Sequence, residues 1–317
     1  MLGFAPLPVP PVVVAATRQE LRLAVFRRDG RGYELREYHA VPLPAGVFSG
    51  GALGGPVADA EALASCVRAL LGRSAGRISR ASLVLPDAWA RGMTVELESA
   101  LPDAPTQALE VLRFRMRKLV PFRIEELRLA AVPIERLTGQ EGGLRALVLL
   151  AAENVCAGLE SAFAGHGVRL GQVTNSTLAR LGGLAREQRL PGLAALASVE
   201  PEGFTLVFAR DGAPVLWRQK VFTEELLDDD RARLLGAELR LTRTFLAERL
   251  AGEGLTAALL SAPAEVEGFW MGVLEEGLAH SVASLQTAHL PLTGASAAAP
   301  AAVLAPLVGA ACLEIAA

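Results

Sequence analysis

Apolar and polar residues alternate along Leu21–Arg28 and again along Tyr33–Val41, with Asp29-Gly30 between them. Period-two alternation marks half-buried strands, and Asp-Gly between two such runs is a strong hairpin signal. The pattern returns along Phe204–Arg210, Asp211-Gly212 and Val215–Phe222. Val25-Phe26-x-Arg28-Asp29-Gly30 recurs as Val207-Phe208-x-Arg210-Asp211-Gly212, 182 residues later. An apolar run precedes each copy, Val12–Ala16 and Leu193–Val199. Two unrelated hairpins sharing turn chemistry would give this signal; so would a duplicated α/β fold whose halves each open with a hairpin.

The remaining pattern supplies helices to pack on those strands. Asp59 is placed to cap a helix whose apolar face is Leu63, Cys66, Val67, Leu70 and Leu71. Ser82–Leu85 reads as a short strand, and the unbroken apolar run Leu144–Ala152 as one buried on both faces. A helix carrying Val155, Leu159, Ala162 and Phe163 follows, stopped by Gly165 and Gly167. Arg231–Leu250 predicts a long helix, Ala257–Ser261 a buried strand, and Val266–Leu278 a helix burying Val266, Phe269, Trp270, Val273 and Leu274. Leu109, Leu112, Met116 and Leu119 form one apolar helical stripe, with Glu110, Arg113 and Arg117 beside it and Pro121 as its stop. Gly50–Gly55 reads as a flexible loop, and 286–302 as a second irregular stretch.

With 317 residues, the chain suits two domains or one large one. Its net charge of −3 argues against a general grip on nucleic acid. Cys66, Cys156 and Cys312 are scattered on apolar helix faces, as small hydrophobes of a reducing compartment are, and the four histidines lack metal-ligand spacing. Pro6, Pro8, Pro10 and Pro11 without a basic leader do not fit a signal peptide, and Pro300, Pro306 and Glu314 interrupt the alanine-rich end. The expectation is a cytoplasmic protein that does not span a membrane. No Gly-Lys-[Ser/Thr] P-loop, Gly-x-Ser-x-Gly elbow, His-Glu-x-x-His or Cys-x-x-Cys occurs, so no catalytic residue and no metal ligand is expected. Asp228-Asp229-Asp230 reads as a solvated helix start rather than a metal site.

Several motifs carry a resemblance when taken in order. They are Leu43-Pro44-Ala45-Gly46, the acid-led helix Asp59–Leu71, Leu85-Pro86-Asp87, a thin strand Met93–Leu97 and the basic helix closed by Val120-Pro121-Phe122 and Glu125-Glu126-Leu127. Leu147–Ala152 with Glu153, the second hairpin Ala197–Phe222 and Val308-Gly309 complete the series. The chain resembles the PilM-like type IV pilus assembly proteins, relatives of the cell-division actin FtsA. The resemblance implies a duplicated actin-like/ribonuclease H-like α/β fold with a small inserted α+β subdomain. Residues 1–192 would form the first domain, with the insertion at about 87–138, and 193–317 a second, reduced domain.

It also implies an ATP site, and the chain departs from the family there. Where the family has Asp and Gly in the first hairpin, this sequence has Ala15 and Thr17, followed by Arg18. The second hairpin has Ser198 and Glu200 at the matching positions, and the glycine cradle under the adenosine falls on Ser261-Ala262-Pro263; only Gly268 is kept. Glycines let phosphates approach backbone N–H groups, and the aspartates hold the Mg²⁺ shell. The expectation is a pseudo-ATPase without cofactor, with ATP and Mg²⁺ relevant only to the alternative of an active or nucleotide-binding ATPase. By resemblance, the chain is a non-catalytic scaffold of a pilus or type II secretion-like platform, peripheral at the inner membrane and self-associating into a ring. It would bind the cytoplasmic tail of a PilN-type protein through Leu112, Arg113, Met116, Arg117 and Phe122. Two plainer readings stay open: Leu112, Met116 and Phe122 as core, and the arginines as a solvated face. A GspL-like secretion component is the other alternative, from which a following membrane span would be expected.

Overall fold

The computed structural model describes residues 11–30, 32–97, 99–102, 104–134, 144–223, 227–249, 253–294 and 298–313. The chain opens with β1 (Val12–Ala16), β2 (Glu20–Asp29), β3 (Gly32–Pro42), α1 (Ala60–Leu71) and β4 (Arg80–Leu85). An insertion follows: β5 (Ala90–Leu97), α2 (Pro105–Met116), β6 (Leu127–Ile134) and β7 (Leu144–Ala152). The first half closes with α3 (Glu153–Ala164), β8 (Arg169–Asn175) and α4 (Ser176–Arg186). The second half runs β9 (Leu193–Glu200), β10 (Gly203–Arg210), β11 (Ala213–Val221), α5 (Asp228–Arg249), β12 (Ala257–Ser261), α6 (Ala264–Leu278), β13 (Ala283–Ser284) and α7 (Ala301–Cys312).

The two five-stranded sheets decide between the readings of the repeated hairpin. One has the order β3-β2-β1-β4-β8 and the other β11-β10-β9-β12-β13, which is the same order when the halves are matched strand for strand. In both, the three hairpin strands are antiparallel and the others join in parallel. Both hairpins carry an irregularity near the repeated phenylalanine, between Val25 and Phe26 and between Phe208 and Ala209. The fold is a duplicated α/β fold. The turns differ in detail: Asp29 is still paired, opposite Gly32, whereas Asp211 and Gly212 are themselves the turn, at φ +50° and +84°. Asp211 is held there by Gly192 N–H, which donates to its Oδ1 over 2.8 Å.

Two compact units result, and they do not follow the contiguous halves 1–192 and 193–317. One combines the chain up to Trp89 with Asn154–Arg189 and the residues from Gln286 on. The other combines Ala90–Glu153 with Leu190–Leu285. The closing helix α7 therefore belongs with the first unit, where it crosses α4. Small residues permit that crossing: a Cβ on Gly309 would lie 1.9 Å from the Ala179 carbonyl oxygen. In the second unit, Phe204, Leu206, Phe208, Leu235, Leu239, Trp270 and Leu274 form the core of the second sheet and its helices. There, Gly92 of β5 sits against the Trp217 indole of β11, and its N–H donates to Gln219 Oε1 over 3.0 Å.

Four expectations are corrected. The insertion extends to Glu153, because β7 pairs along its whole length with both β5 and β6 and is the middle strand of an antiparallel sheet. Its burial on both faces holds without parallel neighbours. Helix α2 stops at Met116, well before Pro121; the Leu119 and Val120 N–H groups both turn back to the Met116 carbonyl, and Leu119 is exposed. On α6 the buried face is Trp270, Leu274 and Leu278, at i, i+4 and i+8, which leaves the adjacent Phe269 42% exposed. The Gly50–Gly55 loop is packed, with Leu53 buried and Gly54 lying on the Trp89 ring.

Candidate functional site

The β1–β2 turn is closed by its own side chain. Thr17 Oγ1 accepts from the N–H groups of Gln19 and Glu20, at 3.2 and 3.1 Å, and donates to the Glu20 carbonyl. Thr17 N–H donates to the same carbonyl at 3.0 Å. The amides that a glycine turn would leave open to a phosphate are thus engaged. Arg18 then leaves the turn to donate to the carbonyls of Ser49 and Gly51, and its guanidinium lies over the Trp89 ring. Trp89 is packed edge-on by Phe48 at 4.7 Å. Ala15 is buried on β1, and the carboxylate near that strand end is Glu20 of β2, which is paired with Arg22.

Strand β9 ends on Glu200, and Pro201 and Glu202 connect it to β10. Proline has no N–H to offer, and two carboxylates repel an anion. Ser198 is buried within β9. At the end of β12, Ser261 and Ala262 are buried, and Pro263 starts α6; its carbonyl accepts from Val266 N–H at 3.1 Å. Glu265 and Glu267 occupy the first turn of that helix.

The motif Leu85-Pro86-Asp87 holds a buried carboxylate. Asp87 is buried at the start of α4, where its Oδ1 accepts from Thr177 N–H at 2.9 Å and Ser176 Oγ at 3.2 Å, and its Oδ2 from the Thr177 hydroxyl. A carboxylate at a helix N-terminus is favoured by the helix dipole and by charge-assisted bonds. It fastens the end of β4 to α4. The signal in the sequence is a lone acid two residues past an apolar strand. Among the described residues, no group of three or more His, Cys, Asp and Glu could hold a metal ion. The cysteines are free, Cys156 is buried, and burial pushes the Cys312 thiol up to about 12.

The residues expected to bind a partner divide into two sets. Leu112 and Met116 are buried beneath α2, so they belong to the core of the insertion and line no open groove. Arg113 pairs with Glu110 at 3.0 Å and Arg117 with Glu125 at 2.8 Å, both on the surface. Phe122 is half-buried with the Arg91 guanidinium over its ring at 5.4 Å. The exposed apolar side chains of this segment are Val111 and Phe114 on α2, which lie outside the stripe, and Leu119 just after it, which the stripe had placed on the buried face.

The repeated sheet order, the insertion after β4 and the two hairpin turns define an actin-like ATPase fold. The chain is similar over 96% of its length to 98% of a chain in a PilM–PilN type IV pilus biogenesis complex, at 19% identity and a TM-score of 0.74. It is similar to the cytoplasmic domain of EpsL, an inner-membrane component of the Vibrio cholerae type II secretion system (12% identity, 95% of this chain, 93% of that one, TM-score 0.50). A Bacteroides thetaiotaomicron protein with an actin-like ATPase fold and unknown function matches 86% of this chain and 89% of its own (10% identity, TM-score 0.53). No family model matches the sequence, and no curated protein does. No described helix is long and apolar enough to cross a membrane.

Proposed function

We propose that the chain is a non-catalytic scaffold of a pilus or secretion platform, cytoplasmic and held at the inner membrane by the tail of a PilN-type protein. The likeness to a chain of the PilM–PilN complex supports the partner class. The observation that carries the non-catalytic part is the self-closed β1–β2 turn, with Thr17 on its amides and Arg18 anchored on Ser49, Gly51 and Trp89. A phosphate would have to displace those bonds to reach the backbone. The tail docks on the exposed rim of the insertion, at Arg113, Arg117 and Phe122, where its carboxylates compete for the surface ion pairs. Copies held side by side by membrane-bound tails would assemble into a ring.

Thermal denaturation with and without saturating Mg-ATP tests the first part, because a ligand that binds the native state raises its melting temperature by mass action. The expected result is no shift. A clear rise would replace this reading with that of a nucleotide-binding ATPase. A pull-down with the tail encoded beside this chain tests the second part: Arg113→Glu/Arg117→Glu should abolish capture, and retention would place the tail elsewhere.

A further inference from the structure

Helix α2 keeps an aromatic side chain in water. Phe114 is 67% exposed, Val111 is 43% and Leu119, just past the helix, is 47%. Single exposed apolar residues are ordinary, but these three lie on or just past one short helix together with a local excess of positive charge. From Pro105 to Val120 the cations are Arg113, Arg115, Arg117 and Lys118, against Glu110 alone, a net charge of +3 in a chain whose total is −3. Lys118 Nζ lies 5.8 Å from the centre of the Phe114 ring. The ammonium is thus held over the ring face in a cation–π contact at an exposed site.

We infer that this face rests directly on an anionic lipid surface, with Phe114 and Val111 entering the headgroup layer and the surrounding cations taking lipid phosphates. The choice of occupant follows from the pattern. A partner helix needs apolar positions at i, i+3, i+4 and i+7; here Val111 and Phe114 are followed by Arg115 and Lys118, so its seam would meet two cations. An aromatic wedge ringed by Lys and Arg is the arrangement that binds in a membrane interface. The rest of the chain carries −6, so an anionic membrane repels most of the surface and draws in this one element. Arg115 and Lys118 share the Val111–Phe114 face by helical spacing, so they are the cations that take phosphate, while Arg113 and Arg117 lie to the side with Glu110 and Glu125. Lipid contact would orient the platform protein independently of its tail-binding partner.

The test is flotation of the whole chain with vesicles of phosphatidylcholine alone or with phosphatidylglycerol added. Binding is expected only to the anionic vesicles and should weaken as salt rises. Arg115→Glu/Lys118→Glu should weaken it by more than about tenfold, through reversal of two surface charges. Phe114→Ser should weaken it several-fold without changing the urea melt, since the ring is outside the core. Trp89, Trp217 and Trp270 are buried, so brominated phosphatidylglycerol should quench F114W far more than the unmodified chain. Wild-type protein that fails to float, floats equally on neutral vesicles, or is unaffected by the charge reversal would overturn the inference, as would floating F114W that is not quenched. Concentration-dependent self-association abolished by the same variants, without flotation, would assign the face to a second copy. Tail capture is read in a separate pull-down, so its failure leaves this result standing, and the reverse holds too.

Discussion

The guanidinium of Arg18 lies 5.7 Å from the centre of the Trp89 ring, while its N–H groups donate to Ser49 O at 3.1 Å and Gly51 O at 3.4 Å. One side chain thereby joins the first hairpin turn, the glycine-rich loop and the segment between β4 and β5. Arg18→Ala removes a cation–π contact and two hydrogen bonds, each worth about 1 kcal/mol. Local opening of the loop should become roughly ten- to a hundredfold more frequent. Hydrogen exchange at Leu53 and Gly54 should report it while exchange in the β12 strand stays unchanged. Equal protection in the variant and the wild type would mean that the loop holds itself closed without Arg18.

The α4–α7 crossing makes a sharp prediction for glycine. Gly309→Ala drives a methyl group to 1.9 Å from Ala179 O and 2.5 Å from its carbon, both backbone atoms that no rotamer change can move. A loss of about 3 kcal/mol is expected, at the upper end for overpacking. Gly272 of α6 meets nothing within 4 Å, so Gly272→Ala should stabilise by about 0.5–1 kcal/mol through helix propensity alone. Urea denaturation of both variants checks the pair. Equal effects of the two substitutions would disprove the close approach.

Burial separates the residues of α2 that can bind from those that support. Met116 is fully buried, and Met116→Ala should cost about 2–5 kcal/mol in a denaturant melt. Arg117→Ala breaks one exposed ion pair and should cost less than about 1 kcal/mol. If the tail docks on the rim, Arg117→Ala weakens its capture at nearly unchanged stability. A stability loss at Arg117 as large as that at Met116 would mean that the charged side supports the fold.

Alternation and turn chemistry made the hairpins legible, because a half-buried antiparallel strand writes its two faces into successive residues. The buried strands were legible for the same local reason. The extent of the insertion was not: Leu144–Ala152 has the same apolar run whether its neighbours are parallel or antiparallel, and only pairing with β5 and β6 settles that. The missing glycines and aspartates of the three turns were visible because an identity at a position is local. What replaced them was not, since Arg18 finds its partners 31 and 33 residues away. On α2 the periodicity identified Leu112 and Met116 correctly as one face. Assigning that face to a partner failed because the insertion's own sheet covers it, and the exposed Phe114 lies on the other side.

Arg128 and Glu153 give stability a pH dependence of predictable sign. Arg128 donates from Nε to Glu153 Oε2 at 3.1 Å and from Nη2 to Oε1 at 2.5 Å. Those bonds, opposed by partial burial and aided by the guanidinium charge, hold the carboxyl below the usual carboxylate range. The folded pKa is therefore lower than the unfolded one, so the pair stabilises fully above the unfolded value of about 4.3 and loses its effect as pH falls through the folded value. The side chains are 34% and 48% exposed, so solvent screens the pair and its contribution should be about 0.5–1 kcal/mol. Glu153→Gln should be less stable than wild type by that amount at neutral pH, with the gap narrowing below about pH 4 and closing near the folded pKa. Arg128→Gln should trace the same curve, and the double variant should lose no more than either single one. Urea melts across that range decide it: a gap that persists in acid, or two single losses that add, would mean that the residues act separately.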